Sequence, residues 1–86
     1  MQHVKTVVVD GKALEYFLID SDEGYGILAR YEGVTETVFD ISEDFDFVYD
    51  LADSLAESFT MPEFIEDLCE EAMFEAAFVE LIEEEK

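Results

Sequence analysis

The groups in this chain that could do chemistry are overwhelmingly carboxylates: of 86 residues, 24 are Asp or Glu and four are Lys or Arg, for a formal charge of −20. Covalent and acid–base catalysis need a nucleophile or acid beside a matched base. The sequence supplies a lone His3 and a lone Cys69, distant from each other along the chain. No spacing marks two of the carboxylates as a working pair, so the expectation is a protein that is not an enzyme and requires no cofactor. His3, Cys69 and a carboxylate cluster would hold a divalent cation only if the fold gathered them, and a cysteine beside an apolar helical stripe is more often a small core residue. Whether any metal binds is left open. Asp20, Asp22 and Gly24 share part of the calcium-loop pattern, but that pattern wants its glycine one place later and a bidentate glutamate at its end. A solvated hairpin loop is expected there.

What these carboxylates can do is meet positive charge. Asp46, Asp50, Asp53 and Glu57 fall at i, i+4, i+7 and i+11, which aligns them on one side of a helix. Glu63, Glu66, Asp67, Glu70 and Glu71 crowd the start of a second helical segment. Charges three or four residues apart are about 5–6 Å apart along a helix, coarser than the ~3.4 Å phosphate rise of one duplex strand. A second helix alongside the first would bring the density closer to that of a nucleic-acid backbone. Further along, Phe74, Phe78 and Leu81 fall at i, i+4 and i+7, roughly opposite the apolar stripe of Ile65, Leu68, Ala72 and Val79. An aromatic stripe rimmed by carboxylates has the make-up of an anchor inside a steering field. The same stripe could be buried in a homodimer, or tucked into the core if the helix bends. The candidate partner-binding residues are Asp46, Asp50, Asp53, Glu57, Glu63, Asp67, Glu70, Glu71, Phe74 and Phe78.

Small helices ordinarily solvate their outer faces with charge, but they mix signs, because like charges at i,i+4 cost a few tenths of a kcal/mol that opposite charges return. Residues 40–86 hold 17 acids and the single base Lys86. Solubility needs a net charge of magnitude only ~2–8 in a small domain. Such a surface repels nucleic acid and anionic lipid and attracts Lys- and Arg-rich surfaces, including those that hold DNA or RNA. The expected partner is thus a basic nucleic-acid-binding protein, with no direct contact to nucleic acid or membrane, and with the chain itself a monomer or a homodimer.

Elements able to present these groups can be read from periodicity. Half the residues are hydrophobic and 14% aromatic, too much apolar material for a disordered acidic tail, and the length fits a single domain over 1–86. One cysteine rules out an internal disulfide. No stretch approaches the roughly 18 apolar residues of a membrane span, so a cytoplasmic protein is expected. Alternation from His3 to Val9 and from Ala13 to Ile19, joined at Asp10-Gly11, predicts a hairpin. Tyr25, Ile27, Ala29 and Tyr31 mark a third strand, and Val34 to Phe39, after Gly33, a fourth. Ser42 stands where a helix cap would be, ahead of Phe45, Val48, Ala52, Leu55 and Phe59 at helical spacing. Thr60-Met61-Pro62-Glu63 has the form of a capping box opening a second helix. The predicted fold is α+β: a four-stranded antiparallel β-meander (strands about 3–39) followed by two amphipathic α-helices (about 43–59 and 61–83), ββββαα, with both helices on one face of the sheet.

Leu14-Glu15-Tyr16-Phe17-Leu18-Ile19, Tyr25-Gly26-Ile27, Ile41-Ser42-Glu43-Asp44 and Pro62 at the opening of the last helix resemble a family of short proteins from clostridia and related Firmicutes. The likeness covers most of the chain and implies a fold, with no activity or functional residue to transfer. In size, compactness and charge the chain also resembles, by type, the acidic phage-encoded inhibitors of bacterial defence that block nucleic-acid-binding enzymes. That resemblance implies an anti-CRISPR protein whose target is a single-effector RNA-guided DNA nuclease, because such a nuclease holds guide and target strands in positively charged channels. The alternative is a bacterial regulatory or adaptor module that homodimerises through its C-terminal helix.

Overall fold

The computed structural model describes residues 1–84, with side chains through Glu75. The strands β1 (Gln2–Val9), β2 (Lys12–Ser21), β3 (Gly24–Tyr31) and β4 (Val34–Ser42) are followed by helix α1 (Phe45–Glu57), a 3-10 turn at Pro62–Phe64 and helix α2 (Ile65–Glu84). The strands form one antiparallel sheet in the order β1-β2-β3-β4, so the expected meander with two following helices is the observed fold. Two of its turns use paired left-handed residues, Asp10 (φ 52) with Gly11 (φ 77) and Glu32 (φ 49) with Gly33 (φ 81), the geometry whose twist matches antiparallel strands.

Register decides which residues meet the helices. Lys5 lies opposite Tyr16 and Tyr16 opposite Ala29, while Leu18 lies opposite Ile27 and Ile27 opposite Val38. On this inner face Leu14, Tyr16, Leu18, Ile27, Ala29 and Ile41 are buried against Val48, Ala52, Leu55 and Ala56 of α1 and Ile65 and Cys69 of α2. Helix α1 crosses all four strands, most closely β1 and β2, and α2 lies against β4. The opposite face carries the row His3, Phe17, Leu28 and Thr37, and the buried residues of both helices belong to the inner core. Phe17 is nonetheless buried, with the His3 ring edge-on at 5.5 Å and the Arg30 guanidinium 5.2 Å from its centroid.

Four boundaries differ from the sequence expectation. Strand β4 runs on to Ser42 because it bulges: between the pairs Ile27–Val38 and Tyr25–Ser42 it uses two more residues than β3, and Asp40 (φ 52) takes up the turn. The bulge presses on β3 so closely that a Cβ on Gly26 would run into the Val38 carbonyl oxygen, and one on Gly24 into that of Ser42. Ser42, still paired in the sheet, does not cap α1. Asp44 does, accepting from Phe47 N at 3.3 Å, and Ser42 Oγ in turn accepts from Asp44 N at 3.1 Å.

The far end of α1 also stops short of the expected residue 59. Phe59 N donates to the Ala56 carbonyl (3.0 Å) and Thr60 N to that of Leu55 (3.0 Å), the paired bonds of a Schellman stop. Phe59 holds the left-handed position (φ 55) and is 54% exposed, so it leaves the core stripe assigned to it. The predicted capping box at Thr60 does not form either: the 3-10 turn has no side-chain cap, and the Thr60 carbonyl accepts the Tyr16 hydroxyl at 2.5 Å.

Candidate partner-binding surface

The cations determine which carboxylates are left over. Lys5, on the inner face at the β1 edge, reaches up to α1 and pairs with Asp53 at 3.1 Å and Glu57 at 2.6 Å. Lys12 pairs with Glu32 across the end of the sheet. Arg30 holds Glu15 Oε1 through Nη2 (3.0 Å) and Nε (3.2 Å) on the outer face. Among the described residues every Lys and Arg is therefore engaged away from α2, and no ion pair involves an α2 carboxylate.

This divides the acidic stripe of α1. Asp46 and Asp50 are exposed, while Asp53 and Glu57 are already half-neutralised by Lys5. The two helices meet each other at few positions: α1 lies chiefly on β1 and β2 and reaches β3 and β4, while α2 lies on β4.

Helix α2 is different. Ile65 and Cys69 are buried and Leu68 and Ala72 half-buried, a stripe at three- and four-residue spacing that fixes the helix against β4. The other side is open: Phe74 is 72% exposed, and Asp67, Glu70, Glu71 and Glu75 join it in lining one shallow depression. Glu63, one turn earlier, is also exposed. The structure thus leaves Phe74 uncovered amid carboxylates and does not tuck it into the core. The side chains of Phe78 and Leu81 lie outside the described residues. Glu75 is a member of this surface that the spacing reading overlooked, although its position four residues after Glu71 places it on the same side.

Other large apolar side chains are exposed as well, Phe64 and, at the start of the α1 stripe, Phe45 among them, and two of these residues share a groove. Phe39, at the bulge, is 63% exposed and Met73 36% exposed, and both line a groove between β4 and α2. A pair of strand glycines two residues apart, Gly24 and Gly26, is the sequence signal for the close backbone approach at the β4 bulge.

The groups considered for metal binding are not brought together. His3 faces the uncovered side of the sheet, its Nε2 2.6 Å from Thr6 Oγ1, while Cys69 is buried on the helical side. Burial pushes the Cys69 thiol up to about 11, which keeps it protonated at neutral pH. Among the described residues no group of three or more His, Cys, Asp and Glu is arranged to hold a metal ion. At the loop with calcium-like spacing, Asp40 Oδ1 accepts from Glu23 N at 3.2 Å and Asp40 N donates to Ser21 Oγ at 3.1 Å, so these polar groups fasten the hairpin turn to the β4 bulge. Among the described residues no helix is long and apolar enough to cross a membrane.

Comparison with protein-family models, with curated proteins and with solved structures found no significant match in any of the three.

Proposed function

We propose that this chain is a small acidic inhibitor that binds a basic, nucleic-acid-binding protein surface and blocks access of DNA or RNA to it, acting as an anti-CRISPR protein on a single-effector RNA-guided DNA nuclease. It does so by occupancy and not by catalysis, in the cytoplasm, where such nucleases work. The observation that carries the reading is the open side of α2, where an exposed Phe74 stands among Asp67, Glu70, Glu71 and Glu75 and no described cation offsets them. Carboxylates gathered this way draw in a cationic surface from a distance, and an aromatic side chain at their centre adds the desolvated contact that slows dissociation. The narrower nuclease assignment leans on the likeness of type to acidic phage inhibitors.

Homodimerisation through the same side of α2 is disfavoured by its charge, since a second copy would bring a second set of carboxylates against the first. Competition tests the reading. The purified protein should slow loading and cleavage of target DNA by the nuclease, with inhibition fading as salt rises from about 0.05 to 0.5 M. Replacing Asp67, Glu70, Glu71 and Glu75 with their amides, together with Phe74→Ala, should weaken inhibition roughly 100-fold while the fold persists by circular dichroism. A folded variant that inhibits as well as the parent would remove α2 from the interface.

A further inference from the structure

We infer that the groove between the free edge of β4 and α2 receives an extended, lysine- or arginine-bearing segment of the basic partner, which adds to the sheet as a fifth strand. The inference rests on the proposed reading that the partner is a basic protein, and it assigns the form in which part of that partner binds.

The sheet has two edges, β1 and β4, and they are not equivalent. Strand β1 also keeps regular register, from Lys5 through Val9, but that run follows an irregularity between His3 and Lys5 and opens on Lys5 itself, an inward-pointing positive charge committed to α1. Both are devices that discourage a further strand from pairing. Strand β4 keeps regular register with β3 from Val34 through Val38 and bulges only beyond it. Alternate residues along that run direct their N–H and C=O groups away from β3, as antiparallel geometry requires.

Beside this edge lies a cavity of about 300 Å³ lined by Thr37, Val38, Phe39, Glu66, Glu70 and Met73. Its apolar walls, Phe39 and Met73, are partly uncovered, and its charged wall is two carboxylates of α2 with no described cation paired to them. An added strand would therefore find backbone partners along β4, apolar contact at Phe39 and Met73, and negative charge above it, the combination of main-chain affinity and side-chain selectivity that strand addition uses. Charge chooses the occupant. A second copy of this chain would bring its own Glu36, Glu66 and Glu70 to the same edge, whereas a basic segment neutralises them.

The experiment titrates the isotopically labelled full chain at low salt with a synthetic peptide of about eight residues, a typical strand length, that alternates lysine and valine. Supporting results are amide shifts and slowed hydrogen exchange in Val34–Val38, a shift of the Met73 methyl, and roughly tenfold weaker binding by the same peptide N-methylated at alternate residues. Glu66→Gln with Glu70→Gln should weaken binding severalfold without changing the spectrum of the free protein elsewhere. Binding with shifts confined to the Asp67–Glu75 side of α2 or to Asp46 and Asp50, or equal binding by the N-methylated peptide, would overturn the strand-addition inference and leave the broader reading intact. Absence of binding anywhere at low salt would sink both. A doubling of the sedimenting mass in the free protein, with the same β4 amides protected, would assign the edge to a second copy and overturn the inference.

Discussion

Lys5 shows how one residue redistributes the charge of a whole surface. Its ammonium is bonded to Glu57 and Asp53, and those bonds raise its pKa above the ordinary 10.5. A raised folded-state value means that the stabilisation is complete below the unfolded pKa and is lost as pH climbs through the folded one. Lys5→Met should therefore lower the thermal midpoint at pH 7, by less in high salt because the pair is partly exposed, and the difference should vanish on the alkaline side of pH 10.5. Cys69 has the same sign: its thiol rises from 9.0 to about 11 through burial, so stability falls as pH rises from 9.0, and Cys69→Ala should flatten that part of the profile. A thiol reagent at pH 7 should find Cys69 unreactive until the protein unfolds. Because Asp53 and Glu57 are already spoken for by Lys5, amide substitutions there should weaken partner binding less than the same changes at Asp46 and Asp50, a ranking that salt-dependent titration can check.

Between elements, the joints carry the strain. Tyr16 is wholly buried in β2, and its hydroxyl ties the sheet to the carbonyl of Thr60 in the link from α1 to α2. Burial raises the phenol pKa, so it remains a donor throughout the neutral range. Tyr16→Phe leaves that carbonyl without this partner and should cost about 1–2 kcal/mol in a denaturant titration. Phe59, left-handed at the Schellman stop, is a position built for glycine. Phe59→Gly should raise stability by about 0.5–1 kcal/mol, the relief of a left-handed side chain less the entropy that glycine loses on folding. Gly26→Ala should act the other way and harder, at about 3 kcal/mol or more, because the obstacle is the backbone carbonyl of Val38, which cannot swing aside as a side chain would.

For the molecule as a whole, a formal charge of −20 on an object measuring 49 × 24 × 18 Å opposes compaction. Salt should therefore stabilise the fold: the thermal midpoint should climb between about 0.01 and 0.3 M NaCl, as carboxylate repulsion is screened over a Debye length that falls from ~30 Å to below 10 Å. Partner binding should weaken over the same range. Opposite responses of folding and binding to one variable would separate a surface shaped for recognition from one that merely solvates the protein, since the latter has no affinity to lose.

The order of elements was legible from local pattern: a period of two through Tyr31, a period of three to four from Phe45, and turn chemistry at Asp10-Gly11. These depend on neighbours within a few residues, which is why the meander and both helices could be read directly, along with the excess of acid in the helical half. The tertiary structure decided what local pattern does not encode. Only the register of β1 against β2 brings Lys5 beneath α1 to take Asp53 and Glu57, and only the β4 bulge, seated against β3, keeps Ser42 paired in the sheet and leaves the cap of α1 to Asp44. Each is a contact between residues far apart in the chain, where distance in space is set by packing and spacing in sequence carries no information about it.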